Sequence, residues 1–171
     1  MDNKLTKLDS KAALHKYLTD GGLSYLVLGS GSEAPREFYA VDFPGPRTFR
    51  IGLIANGSGI QPSFFYSSNK QYWVIGFDAR IGIVDTNAMR SIAEIPLDGV
   101  FFEFAVCDSE DGFVAVHELG AVKLSFLGAR KWSISTDILE SWRIESDDKL
   151  TLRQQDGKEI VADLNSGKLF A

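Results

Sequence analysis

The stretch Tyr72–Val84, which reads YWVIGFDARIGIV, decides the fold of the chain. Two runs rich in β-branched and aromatic residues, Tyr72–Phe77 and Ile81–Val84, lie on either side of Asp78-Ala79-Arg80. Short apolar runs bounded by turn residues are typical of β-strands. The stretch therefore predicts two strands joined by an acidic turn.

The same order of strand, acidic turn and strand recurs twice further along the chain. It resembles the meander of a β-propeller blade, but three unequal units at drifting spacing do not close a ring. We therefore predict an open, twisted antiparallel meander with propeller-blade-like hairpins, not a closed propeller. The recurrences are Phe101–Val106 and Phe113–His117 around Asp108–Gly112, and Trp142–Glu145 and Leu150–Gln154 around Asp147-Asp148.

One α-helix is predicted near the start of the chain, at about residues 9–20. Asp9 or Ser10 can cap it, and Gly21-Gly22 can end it. Its apolar stripe is Ala13, Leu14, Tyr17 and Leu18, which Leu5 and Leu8 extend by one turn. After the helix we predict strands from about residue 23 to 170, with a short helical turn at Thr136–Ser141. The fold class is mainly β, in one β-rich domain over residues 1–171.

The composition favours a protein of the cytoplasm. The chain has 171 residues, a net charge of −5 and a single cysteine, so no intramolecular disulfide can form. We find neither an apolar signal-peptide core nor a run of about 18 apolar residues, and we expect no membrane segment. The scattered Lys and Arg residues argue against binding to nucleic acid. The sequence leaves the oligomeric state open.

The most unusual stretch is the acidic window Ser91–Val122, which contains seven carboxylates and no Lys or Arg over 32 positions. A surface of one sign attracts a basic partner or a cation. Alternatively, these carboxylates only keep strand ends soluble and deter self-pairing. The candidate partner-binding residues are Asp98, Glu103, Asp108, Glu110, Asp111 and Glu118.

No catalytic or metal-binding residues are predicted, and the sequence favours a protein without enzymatic activity. Cys107 and His117 would need further ligands to hold zinc. The acidic surroundings of Cys107 favour the neutral thiol, which is a poor nucleophile. Asp108–Gly112 lacks the alternating aspartates and the distal Glu of a calcium loop. We therefore expect no metal and no cofactor.

The loop Gly29–Ala34 imitates a dinucleotide-binding fingerprint, with glycines at its first two places and Ala at the third. That fingerprint requires a helix at its end, whereas Pro35–Tyr39 predicts another strand. A hairpin loop is the preferred interpretation.

These observations lead to three hypotheses about function. The first is a non-catalytic intracellular binding protein that presents an acidic surface to a basic protein, in its specific form an immunity-type inhibitor of a basic toxin such as a nuclease. The second is a small-molecule-binding protein or enzyme built around the Gly29–Ala34 loop. The third is a β module that self-associates through the aromatic strand Phe64–Tyr66.

Overall fold

Strands dominate the part of the chain that the structure describes. The structure is a computed structural model, and it describes residues 4–32, 34–43, 49–69, 71–109, 112–146 and 149–170. These residues form one α-helix and four sheets, none of which closes on itself. The prediction of a mainly β fold with blade-like hairpins and one N-terminal helix is therefore confirmed.

The first sheet carries the helix on its outer face. Helix α1 spans Lys11–Thr19, the Ser10 hydroxyl accepts a hydrogen bond from Ala13 N as its N-cap, and a 3-10 turn, Asp20–Gly22, follows. The strand order is β1-β3-β4-β2, and β2 runs parallel to β4 whereas the other pairs are antiparallel. The strands are β1 (Leu5–Leu8), β2 (Ser24–Leu28), β3 (Glu37–Phe43) and β4 (Phe49–Ala55).

The other three sheets are antiparallel, and their strands follow one another in chain order. The second sheet contains β5 (Ser63–Tyr66), β6 (Tyr72–Phe77), β7 (Arg80–Asp85) and β8 (Arg90–Pro96). The third contains β9 (Phe101–Ser109), β10 (Gly112–His117), β11 (Gly120–Leu124) and β12 (Arg130–Ser135). The fourth contains β13 (Leu139–Ser146), β14 (Lys149–Gln154) and β15 (Glu159–Asp163).

The four sheets are stacked face to face, with a separate hydrophobic layer between each neighbouring pair. Along β6, Trp73 and Ile75 face the first sheet while Val74 faces the third. Along β10, Phe113 faces the second sheet and Val114 faces the fourth. A strand buried on both faces needs apolar residues at every position, which is why these segments read as continuous apolar runs. Gly76 brings the stack together, because an added Cβ there would overlap the Phe101 ring.

Two local predictions are wrong. Leu5 and Leu8 do not extend the helix; they belong to β1, whose residues pair with β3 from Val41 to Phe38. Thr136–Ser141 is not a helical turn, because β13 begins at Leu139 and continues through Ser141. In both places pairing with a neighbouring strand overrides a local helical signal.

Candidate binding surface

One edge of the stack is formed by hairpin tips and by the loops that cross from one sheet to the next. In the second sheet, Leu97 N donates to Ala79 O over 2.9 Å and Phe101 N donates to Asp78 O over 2.7 Å. These bonds fasten the loop of residues 97–100 to the tip of the β6–β7 hairpin. We call this side of the molecule the crossover edge.

The third sheet repeats this arrangement 40 residues later. Thr136 N donates to Leu119 O over 2.9 Å, and Leu139 N donates to Glu118 O over 2.8 Å. Glu118 and Leu119 follow Asp78 and Ala79 by 40 positions. The β6–β7 tip therefore corresponds to the β10–β11 tip. The predicted unit that begins at Tyr72 is thus not equivalent to those that begin at Phe101 and Trp142, whose hairpins β9–β10 and β13–β14 do correspond to each other.

Asp98 and Glu118 lie together on the crossover edge. Glu118 N donates to Val100 O over 2.8 Å, and the Glu118 Cβ lies 3.0 Å from where a Cβ on Gly99 would be. Both carboxylates act electrostatically on the same side chain, His117. Asp98 is exposed and Glu118 is half-buried, and among the described residues neither forms an ion pair with Lys or Arg.

The remaining predicted residues follow β9 away from this edge. Glu103 is exposed and lies opposite Val116, near the start of β9. The backbone of Asp108 lies near the other end of β9, about 17 Å further along at roughly 3.4 Å per residue. The side chain of Asp108 and the whole of Glu110 and Asp111 lie outside the described residues. The structure therefore brings Asp98 and Glu118 together and places the backbone of Asp108 at the opposite end of the sheet.

Other carboxylates near the crossover edge differ in whether a cation neutralises them. Glu94 lies 3.8 Å from Arg80 and accepts a hydrogen bond from Gly29 N over 2.8 Å. Glu140 is bound to Arg153 over 2.9 Å. Asp137, in the next crossover loop, is exposed and has no ion pair within the described ranges. Asp137 therefore extends the uncompensated charge of Asp98 and Glu118 toward the fourth sheet.

His117 is buried close to Asp98 and Glu118. It is 3 % exposed, and its Nδ1 finds no hydrogen-bond partner among the residues described. Burial lowers the pKa of His117 below its ordinary value; Asp98 and Glu118 oppose this change, and Arg130 adds to it. Within the described part of the chain, no three His, Cys, Asp or Glu residues are grouped closely enough to hold a metal ion. The Cys107 side chain lies outside that part.

The Gly29–Ala34 loop is not followed by a helix, because the next element is β3. Its first amide already donates to the Glu94 carboxylate. Ser32 N donates to Gly29 O over 3.1 Å and closes the loop on itself. A phosphate cradle needs free amides at a helix N-terminus, so this geometry favours a structural loop.

The aromatic strand β5 is packed on both of its faces. Phe64 lies 5.0 Å from Trp73, in the layer facing the first sheet, and Phe65 lies 4.9 Å from Phe104, in the layer facing the third. Trp73 is fully buried, whereas Trp132 and Trp142 are half-buried in the layer between the third and fourth sheets. The rings of Phe64 and Phe65 therefore serve the core. Sequence reasoning missed a groove on the fourth sheet around Leu169 and Phe170, whose signal was two apolar residues after a polar turn.

Two of the solved structures that match this chain illustrate the shared architecture. The WD40 domain of Pan2 from Neurospora crassa matches with a TM-score of 0.50 and 15% identity, over 64% of this chain and 36% of that one. BamB from Moraxella catarrhalis matches with a TM-score of 0.50 and 12% identity, over 77% and 41%. The chain thus spans about two fifths of the length of each.

No protein-family model matches the chain. No curated protein matches it either. No described helix is long and apolar enough to cross a membrane. The structural likeness, at these identities, shows the fold alone: a stack of propeller-blade-like sheets.

Proposed function

We propose that this protein is a non-catalytic binding module whose crossover edge docks onto a basic partner protein. The observation that carries the proposal is the pair Asp98 and Glu118, which lie side by side without a neutralising Lys or Arg among the described residues. The WD40-like neighbours support a role in protein interaction. The net charge of −5 reinforces attraction toward a basic surface.

Stacking spreads these charges along a line. Sheets packed face to face lie about 10 Å apart, so equivalent loops on neighbouring sheets repeat at roughly that distance. Asp98 and Asp137 lie in successive crossover loops, and both are exposed. A row of like charges steers association and raises the rate at which a cationic partner docks.

The other four predicted residues place a stricter requirement on the size of the partner. The backbone of Asp108 lies near the far end of β9, whereas Glu103 lies near its start. Glu110 and Asp111 come next after Ser109 in the sequence and lie outside the described residues. A partner that contacts both Glu103 and Asp108 has to reach along β9 for about 17 Å, at roughly 3.4 Å per residue. We include these four residues as the second part of the binding surface.

The test compares the association kinetics of two charge-reversed variants. Asp98→Lys/Glu118→Lys should slow association with a partner captured from native lysate about tenfold at low salt, because electrostatic steering is lost. Asp9→Lys/Asp20→Lys makes the same change in net charge beside α1 and serves as the matched control. Stopped-flow or surface-plasmon measurements at several salt concentrations give the rates.

We expect the control to keep at least half of the wild-type association rate, and we expect the captured protein to be basic. Equal slowing by both variants would mean that only net charge matters. A captured protein without a basic surface, or an unchanged rate for Asp98→Lys/Glu118→Lys, contradicts the proposal.

In its most specific form, the partner is a basic toxin such as a nuclease, which the protein inhibits by covering its cationic active site. The acidic character of the chain, with a pI of about 5.0, supports this form. The captured partner would then show nuclease activity that falls stoichiometrically as the protein is added, and the Asp98→Lys/Glu118→Lys variant would inhibit less. If the captured partner has no such activity, the toxin-inhibitor form of the proposal is rejected. The general proposal of a basic protein partner then remains.

A further inference from the structure

The loop between β4 and β5 crosses from the first sheet to the second and differs in charge from the later crossover loops. It lies on the crossover edge, because Asn56 N donates to the Asp78 carboxylate at the β6–β7 tip over 3.1 Å. The later loops expose Asp98 and Asp137. Residues 56–62 contain no carboxylate, and the first loop exposes the side-chain amide of Asn56 instead.

The residue after this asparagine makes the side-chain amide reactive. An asparagine loses its amide when the backbone nitrogen of the next residue attacks the side-chain carbonyl carbon. An intramolecular attack of this kind depends on positioning, so the nitrogen has to be within reach and free of hydrogen bonds. Glycine shields its backbone least, because it has no Cβ. Gly57 follows Asn56 directly.

The structure leaves this nitrogen free. Within the described ranges, no hydrogen bond engages Gly57 N or the side-chain amide of Asn56, and both residues are exposed. Gly57 has a φ of +94°, and a Cβ at this position would lie 3.2 Å from the Cβ of Arg36. The shape of the loop therefore requires glycine, and the same glycine presents its nitrogen to the solvent.

The other asparagines in the described part of the chain are held by hydrogen bonds. The amide that follows Asn87 donates to the Asp85 carboxylate over 2.9 Å. The amide that follows Asn165 donates to the Asp163 carboxylate over 2.7 Å. The side-chain oxygen of Asn69 accepts two bonds, over 2.7 and 2.9 Å. The fold thus restrains these three asparagines and leaves the one before Gly57 unrestrained.

We propose that Asn56 is a site of spontaneous deamidation, which adds a carboxylate to the crossover edge. Gly57 N forms a bond to Asn56 Cγ while the bond from Cγ to Nδ2 breaks. The proton of the Gly57 amide leaves with this nitrogen as ammonia. The cyclic imide then takes up one water molecule and opens to aspartate or isoaspartate, each of which carries one negative charge more than asparagine.

The new charge extends the row formed by Asp98 and Asp137 toward the first sheet. Asn56 N precedes the altered linkage, so its hydrogen bond to Asp78 is kept in both products. A longer row of like charges speeds the docking of a cationic partner. This consequence rests on the function proposed above, whereas the reaction itself does not.

The reaction is tested by tandem mass spectrometry after the whole protein has been kept in mildly alkaline buffer. Asn56, Asn87 and Asn165 fall in separate tryptic peptides, 51–70, 81–90 and 159–168. We expect Asn56 to lose its amide at least about tenfold faster than the other two, because a hydrogen bond to a carboxylate has to break before either of them reacts. Fragmentation of the first peptide distinguishes Asn56 from Asn69.

The same measurement in guanidinium chloride separates the effect of the fold from that of the Asn-Gly sequence. Unfolding should speed the reaction of Asn87 and Asn165 about tenfold, because it releases the amides that follow them. It should change the rate at Asn56 less than about threefold, since this loop is open in the folded state. The proposal is overturned if Asn56 stays intact in the folded protein, or if unfolding speeds its reaction as much as that of the other two.

The added charge is tested with fluorescein-labelled hexalysine, whose binding at low salt is followed by anisotropy. Asn56→Asp should bind this probe about twofold more tightly than Asn56→Gln, which keeps a neutral amide. Asn87→Asp is the matched control, because it adds the same charge to the β7–β8 tip at the opposite edge, and it should strengthen binding less.

Equal strengthening by Asn56→Asp and Asn87→Asp would overturn the assignment of the new charge to the crossover row. If Asp98→Lys/Glu118→Lys fails to weaken the binding of hexalysine, the function proposed above is contradicted instead. The mass measurement needs no partner, so it still decides whether Asn56 is the modified residue.

Discussion

The two outer faces of the stack are covered in different ways. On the first sheet, Leu14 and Leu18 of α1 pack against Phe38 and Ile54, and all four side chains are buried. On the fourth sheet, the outer face carries charge, and Arg143 links Glu145 and Glu159. One end of the stack is closed by a hydrophobic contact and the other by exposed ion pairs.

The hydrophobic contact at the first sheet contributes to stability, whereas the exposed ion pairs at the fourth sheet contribute to solubility. Fully burying a leucine side chain contributes about 1.5–3 kcal/mol, so α1 is expected to stabilise the first sheet substantially. Exposed ion pairs contribute little, because water competes for both partners. Their effect is to keep the outer face of the fourth sheet polar, which does not favour stacking with another apolar sheet. The comparison therefore predicts that mutations on the first sheet lower the free energy of unfolding strongly, whereas mutations on the fourth sheet lower it only slightly.

The largest effect is expected from Leu18→Ala. The substitution leaves a cavity between α1 and the first sheet, and it should lower the free energy of unfolding by about 3 kcal/mol. Chemical denaturation monitored by circular dichroism measures the loss. Leu127→Ala is the control, because Leu127 is 68 % exposed and its removal should change stability by less than about 0.5 kcal/mol.

Gly52 on β4 allows a sharper version of this experiment. A Cβ at Gly52 would lie 2.7 Å from Leu18 Cδ1, so Gly52→Ala alone should cost about 1–2 kcal/mol through overpacking. In the Leu18→Ala background the added methyl group enters the cavity, and the cost should vanish or reverse. Additive effects in this double-mutant cycle would show that α1 does not rest on the first sheet as described.

An intermediate effect is expected from pH, which acts on the interior of the stack. Because burial lowers the pKa of His117 in the folded state, the unfolded chain binds the proton more readily. Stability should therefore fall as the pH decreases below the ordinary value of 6.5. Denaturation curves between pH 7 and 5 test this, and His117→Gln should flatten the profile. A wild-type profile as flat as that of the variant would contradict the burial of a neutral imidazole.

The smallest effect is expected from Arg143→Gln on the fourth sheet. Hydrogen bonding to Arg143 is the main cause that holds the pKa of Glu145 below its ordinary value of 4.5. A lowered carboxyl pKa stabilises the fold above pH 4.5, and this contribution is lost as the pH falls through the folded-state pKa. The variant should therefore be slightly less stable than wild type at pH 6, with the difference shrinking at pH 3.5. A loss of stability as large as that caused by Leu18→Ala would contradict the conclusion that the two outer faces differ in how much they stabilise the fold.

Much of this fold could be predicted because its central strands are buried on both faces. Tyr72–Phe77 is apolar throughout, and this pattern identifies a strand without any knowledge of its neighbours. The Ser10 cap is equally local, since the hydroxyl bonds an amide only three residues away. Leu5 and Leu8 could not be placed this way, because their strand forms only by pairing with β3.

The candidate surface was harder to predict because a hairpin carries its residues alternately to opposite ends of a sheet. Asp98 and Glu118 are 20 positions apart and lie side by side, whereas Asp108 lies between them in sequence and at the far end of β9. Acidic turns mark tips at both ends, so they do not reveal which tips are equivalent. The matching tip at Glu118-Leu119 contains neither Gly nor Asn, and it carries no strong turn signal of its own.

The bonds between each crossover loop and the preceding hairpin tip also have a consequence for how the chain tolerates damage. Each crossover loop is hydrogen-bonded to the hairpin tip that precedes it in the chain. A protease cut between Asp137 and Ile138 would therefore leave two bonds intact, from Thr136 N to Leu119 O and from Leu139 N to Glu118 O. The severed fourth sheet would stay attached through these anchors and through its apolar layer. A nicked molecule should therefore migrate as an intact particle until denaturant separates its two pieces.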